Sequence, residues 1–180
     1  MPIVIVDLVG VLTNFDHAIL NTLGSSGRLS LVDIWNQLLN KSLNELDYFF
    51  AETLRFPQAS QVLWNSLKKM QSTHNNNLME TDLNEIKNKK IELYVLVSVP
   101  TSHKSWAHRR LTKWVSRFLG KKTMLLLYTT ETKHNIGRHY PGCVLIDVMS
   151  SGSDSGTQVV TVSAGWGLGL PLESNSHSHS

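Results

Sequence analysis

A doubly wound, parallel α/β domain with a small helical insertion after its first strand is the fold this sequence predicts. Three observations carry that expectation. Short apolar runs, rich in β-branched residues, end at polar residues, as strands buried on both faces do. Segments with apolar residues at helical spacing alternate with such runs over the second half of the chain. Between the first two runs, over residues 16–77, helical spacing recurs and no strand-like alternation interrupts it.

The first strand is Ile3-Val4-Ile5-Val6, ending at Asp7, and the chain leaves it through Gly10. A helix follows from Leu31, Ile34, Trp35, Leu38 and Leu39, with Ser30 placed to cap it. Residues 42–54 form a second helix with Leu43, Leu46, Phe49 and Phe50 on one face. Pro57 breaks the chain, and residues 59–70 make a third helix carrying Val62, Leu63 and Leu67. Residues 71–77 are polar and loop-like, and a polar helix or turn continues to Lys90. The second strand covers residues 91–99 and stops at Pro100. A helix over 106–119 turns Leu111, Trp114, Val115 and Phe118 inward and Arg109, Arg110, Lys113 and Arg117 outward, with Gly120 ending it. Strands follow over 123–128, over 144–146 (ending at Asp147) and over 158–163, with a short helix over 132–138 and a Gly/Ser loop over 150–156. The implied organisation is a core of residues 1–15 and 78–171, an insertion over 16–77 and a disordered tail over 172–180.

Ligands of such sheets bind beyond the carboxyl ends of the strands. Asp7, Ser98 and Asp147 all stand at such ends, which makes them the first candidates for a site. A carboxylate after four buried apolar residues needs a partner, although Asp7 could also serve to cap a turn. Ser98 could bond a ligand or merely satisfy nearby backbone groups.

At 180 residues the chain has room for one substantial core and a small subdomain. Hydrophobic residues make up 41% and charged residues 17%, which excludes a disordered or fibrous chain. The net charge is +3, with basic residues concentrated between Lys87 and Arg138. Most of these charges read as solvating helix faces, with anionic ligands the alternative, and a nucleic-acid binder would carry a denser basic cluster. The single cysteine, Cys143, permits no internal disulfide and reads as a buried small hydrophobe. The N-terminus lacks the pattern of a signal peptide and no run reaches about 20 apolar residues, so a cytoplasmic protein without a membrane partner is expected. His103, His108, His134 and His139 show no metal-ligand spacing and read as surface residues. Trp35, Trp64 and Trp114 lie on predicted helix faces and read as core. Gly165-Trp166-Gly167-Leu168-Gly169 lacks the strand-to-helix context of a phosphate loop.

The run Asp7-Leu8-Val9-Gly10-Val11-Leu12 resembles the first motif of the haloacid dehalogenase superfamily, Asp-x-Asp-Gly-(Val or Thr)-Leu. Three further stretches extend the likeness toward that superfamily's 5′-nucleotidase group, which includes the 5′(3′)-deoxyribonucleotidases. Ser98-Val99-Pro100, followed by Lys113-Trp114-Val115 and Leu119-Gly120, is similar to the group's Thr-Ser-Pro strand end and the helix after it. Tyr128-Thr129-Thr130-Glu131-Thr132-Lys133 occupies the place of a strand, a Thr and an Asp-Lys pair. Leu145-Ile146-Asp147-Val148 occupies that of Leu-Ile-Asp-Asp. Phe49-Phe50 and Pro57-Gln58-Ala59 resemble parts of the family's helical cap. The likeness runs from residue 1 to about residue 165.

The resemblance implies a phosphomonoesterase acting on a nucleotide or similar small phosphate ester. Asp7 would attack phosphorus and form an aspartyl-phosphate. Ser98 would bond a phosphoryl oxygen, and Lys133 would neutralise charge on nucleophile and phosphate. Mg²⁺ would be held by Asp7, the Val9 backbone carbonyl and Asp147. Two departures stand out. Val9 replaces the family's general acid/base, and Val148 replaces the second acid of the last motif. The stretch from Lys133 to Asp147 is also a few residues longer than in the relatives. The departures open a second expectation, a catalytically inactive pseudoenzyme in which the fold persists as a binding or assembly module.

Overall fold

A computed structural model of the chain describes residues 2–15, 18–19, 31–71, 91–129, 135–148 and 158–162. Five strands form one sheet: β1 (Ile3–Asp7), β2 (Glu92–Ser98), β3 (Met124–Tyr128), β4 (Val144–Asp147) and β5 (Gln158–Thr161). Their order is β3-β2-β1-β4-β5 and every pairing is parallel. The chain thus steps outward from β1 to one side and then returns to fill the other. Helices flank the sheet: α1 (Leu31–Leu39), α2 (Leu43–Tyr48), α3 (Gln58–Gln71), α4 (Lys104–Phe118) and the single turn α5 (Ile136–His139). A wide π turn, Phe49–Thr53, follows α2, and a 3₁₀ turn, Thr101–His103, precedes α4. The α/β class expected from the sequence is therefore present.

The central strands β1, β2 and β4 read as apolar runs because both of their faces are covered, whereas β3 is half-buried and β5, at the other edge, is largely exposed. Val4, Val6, Leu93, Val95, Val97 and Ile146 face the main core, which they share with residues of α1 through α4. The alternate positions Ile5, Leu96 and Leu145 join Ile136 and Cys143 on the opposite face. Cys143 is fully buried, as its apolar surroundings predicted.

The described part of the insertion packs into the same core as the sheet. Phe15 stacks at 5.6 Å from Trp35, and Trp35 meets Trp106 of α4 edge-on at 5.8 Å. Two indole N–H groups cross between insertion and α4: Trp64 Nε1 donates to the Leu119 carbonyl at 3.1 Å, and Trp114 Nε1 to the Leu54 carbonyl at 3.4 Å. Trp35, Trp64 and Trp114 are thus core residues.

Several local expectations change. The helix predicted over 42–54 divides, because a capping box of Ser42 and Glu45 starts α2 but its end widens into the π turn. Leu43 and Val62 are exposed. On α3 the buried stripe is Ser60, Trp64 and Leu67, which lies off Val62. Ser60 holds that orientation by donating to the Val11 carbonyl at 2.7 Å. Arg110 does not point into solvent; it is largely covered and forms an ion pair with Asp47. Gly120 follows α4 at φ +115, the left-handed backbone that a helix end of this kind uses. The Ser30 cap, the segment over 72–90, the Gly/Ser loop, the glycine run near residue 167 and the 172–180 tail lie outside the described residues. Among the described residues, no helix is long and apolar enough to cross a membrane.

Candidate functional site

Among the described residues most of the buried polar side chains lie at or just beyond the carboxyl ends of the strands. Asp7, Ser98 and Asp147 end β1, β2 and β4 and are 3%, 5% and 5% exposed. Thr129, directly after β3, and His103, before α4, are also buried. The register brings the two carboxylates together. Val6 pairs with Ile146, so Asp7 and Asp147 are the next positions on adjacent strands. Alternation then puts both on the sheet face that carries Ile5 and Leu145. Asp7 pairs with Leu96, so Ser98 stands further along β2 on that same face, opposite Tyr128. The strand order reverses beside β1, the place where open parallel sheets leave a crevice.

The turn after β1 shapes this edge. Leu8 accepts bonds at its carbonyl from the N–H groups of Leu12 (3.2 Å) and Thr13 (2.9 Å), and Gly10 donates to Thr13 at 3.0 Å. The Thr13 hydroxyl adds a fourth bond, to Leu8 at 3.0 Å. The closure uses the Leu8 and Thr13 carbonyls rather than that of Val9. Asp7 Oδ1 accepts the Val9 N–H at 3.1 Å, which folds the turn back over the carboxylate. Asp147 Oδ1 accepts the Val148 N–H at 2.7 Å in a similar way. Val9 and Val148 are partly buried and pack against the main core, as apolar replacements would.

Ser98 Oγ is buried and has no hydrogen-bond partner. No backbone group among the described residues bonds it. A buried hydroxyl left in that state costs about 1–3 kcal/mol, an amount that a ligand acceptor would return.

His103 is buried at 6% exposure, which corrects the surface reading. Ser102 Oγ lies 2.6 Å from its Nδ1, while Nε2 has no partner. Sequence reasoning missed it because a single histidine after Pro100 has no spacing signal; its place between a strand end and a helix start was the one available cue. His108 and His139 are exposed as expected. Lys133 and His134 lie outside the described residues.

Toward β3 the site edge is phenolic. Burial, followed by Tyr140 and Cys143, pushes the Tyr128 hydroxyl above its ordinary range, and that hydroxyl lies 3.1 Å from His139 Nδ1. Tyr94 is raised chiefly by its bond to Glu92.

Among the described residues no group of three or more His, Cys, Asp or Glu side chains could hold a metal ion. The oxygen donors at this edge are the Asp7 and Asp147 carboxylates with nearby backbone carbonyls. Such a set suits a hard cation that keeps several waters and shares a phosphate, and it does not suit zinc. No protein-family model matches the chain, and no curated protein matches it.

Proposed function

We propose that the chain is a nucleotidase-like phosphomonoesterase of the haloacid dehalogenase type, working slowly because its general acid is absent. One observation carries the reading. Two buried carboxylates, Asp7 and Asp147, close adjacent parallel strands beside a buried, unpartnered Ser98 hydroxyl. Two carboxylates at neighbouring strand ends are a donor set that can share a hard cation with a phosphate, and an unpartnered hydroxyl near them suits an oxyanion.

In this reading an Asp7 oxygen attacks phosphorus, and the bond from phosphorus to the ester oxygen breaks. Ser98 donates to a phosphoryl oxygen. Lys133 would add positive charge from the segment after β3. The leaving oxygen takes its proton from water, since Val9 has none to give. Water then attacks the aspartyl-phosphate, releasing inorganic phosphate and restoring Asp7. Asp7, Asp147 and the Val9 carbonyl are the residues that would hold Mg²⁺. That ion would supply charge neutralisation between nucleophile and phosphate. The insertion over 16–77 would act as the cap that limits water at the site. A nucleoside monophosphate is the substrate class the motif resemblance favours, in a cytoplasmic setting.

A second reading is favoured by Val148. It packs against the Gly10 turn, where the resemblance places an acid. A chain that has filled this place with hydrocarbon fits a pseudoenzyme that binds phosphorylated ligands without turning them over.

Phosphate release from nucleoside monophosphates and p-nitrophenyl phosphate with Mg²⁺, measured beside Asp7→Asn, separates the two. Turnover lost in Asp7→Asn supports the phosphatase. No turnover from folded wild type leaves the pseudoenzyme.

A further inference from the structure

The geometry points to His103 as a second donor to the phosphoryl group, acting beside Ser98 at the start of α4; this rests on the phosphate-binding reading above. Two buried side-chain polar atoms on the connection between β2 and α4 have no partner, Ser98 Oγ and His103 Nε2. Both residues are more than nine-tenths buried. The third such atom among the described residues, Trp35 Nε1, lies inside the main core, whereas these two share the short segment that leaves the site edge, where a ligand could satisfy both.

The chemistry of that ligand follows from the donors. The Ser102 hydroxyl can give its proton to Nδ1 at 2.6 Å, which leaves the ring proton on Nε2. His103 then presents an N–H, as Ser98 presents an O–H. His103 is also the N-cap of α4, a 15-residue helix with no side-chain cap bond and no acidic residue in its first turn. The His103 and Lys104 N–H groups already bond the Pro100 and Thr101 carbonyls in the 3₁₀ turn that runs into α4, so the helix adds the positive end of its dipole and not these two donors. Lys104 opens the helix. Hydroxyl, imidazole N–H and lysine are all donors at the positive end of a helix dipole, so the complementary group is an oxyanion. With Asp7 as nucleophile on the neighbouring strand, that oxyanion is the transferring phosphoryl group or the phosphate released from it. His103 binds it and does not replace the missing acid.

Long-range ¹⁵N–¹H spectra of the histidine rings, recorded while inorganic phosphate is added, test this on the full chain. The expected result is a saturable movement of the His103 Nε2 signal in wild type and in Asp7→Asn, with His108 and His139 unmoved. His103→Gln should weaken phosphate binding about tenfold, the effect of one hydrogen bond to a charged group. Ser102→Ala, at an exposed position, should weaken it less and provides a folded comparison. Phosphate binding that leaves the His103 signal in place, or that is equally tight in His103→Gln, overturns the assignment. Absence of phosphate binding to wild type overturns it as well. Failure of the phosphatase reading looks different: the His103 signal moves with phosphate while no turnover depends on Asp7.

Discussion

Val148 Cγ2 lies 2.6 Å from the position that a Cβ on Gly10 would occupy. The residue that leaves β4 is therefore seated on the turn that leaves β1, and only a glycine permits the approach. Gly10 also stands at φ +86, where a side chain is strained even in open space. The two positions that depart from the resembled motifs, Val9 and Val148, thus border one tight turn beside Asp7.

Gly10→Ala should destabilise the fold by about 2–4 kcal/mol, the sum of left-handed backbone strain and overpacking. Adding Val148→Ala should recover the packing part and leave the strain. Chemical denaturation of the two variants and of Val148→Ala alone measures the coupling. Additive losses would show that the contact does not constrain the turn.

Val9→Asp should raise turnover of alkyl phosphates by about 10²–10⁴, because it restores a proton donor two residues after the nucleophile. Val9 is only partly buried, so the variant should fold. Steady-state kinetics on a nucleoside monophosphate reads the effect. A folded variant with no gain would place the defect elsewhere.

Mg²⁺ at a hundredfold excess over its dissociation constant should stabilise the protein by about 2.7 kcal/mol. Thermal melts with and without the ion should show a raised Tm, and Asp147→Asn should abolish the rise. An equal rise in wild type and variant would remove Asp147 from the metal assignment.

Ser60→Ala should cost about 1–3 kcal/mol, since it leaves the buried Val11 carbonyl without the hydroxyl that ties α3 to the site turn. Urea unfolding gives the value. A loss near zero would mean that α3 and the turn hold each other by packing alone.

The centre of the sheet was legible because burial on both faces writes β1, β2 and β4 as apolar runs, and Asp7, Ser98 and Asp147 were legible because each stands at the end of such a run. Parallel pairing followed from the helices between strands. What the sequence hid depended on long-range contacts. Val62 looks like an inward residue until the Ser60 bond to Val11 sets the rotation of α3. Arg110 looks solvent-facing until Asp47, far away in the chain, pairs with it. His103 carries no periodicity, so nothing local announces that it is buried. Val148 over Gly10 joins two segments that no local pattern connects.

In the proposed mechanism Asp7 becomes phosphorylated. A nucleophile without its general acid and base should still attack an ester whose leaving group needs no proton, and then wait for a poorly activated water. Rapid mixing with p-nitrophenyl phosphate and Mg²⁺ should therefore release a burst of p-nitrophenolate matching the enzyme concentration, followed by slow turnover. Acid quenching should trap one phosphoryl group on the peptide containing Asp7, and Asp7→Asn should show neither signal. A folded wild-type protein with no burst and no phosphorylated Asp7 would contradict the account.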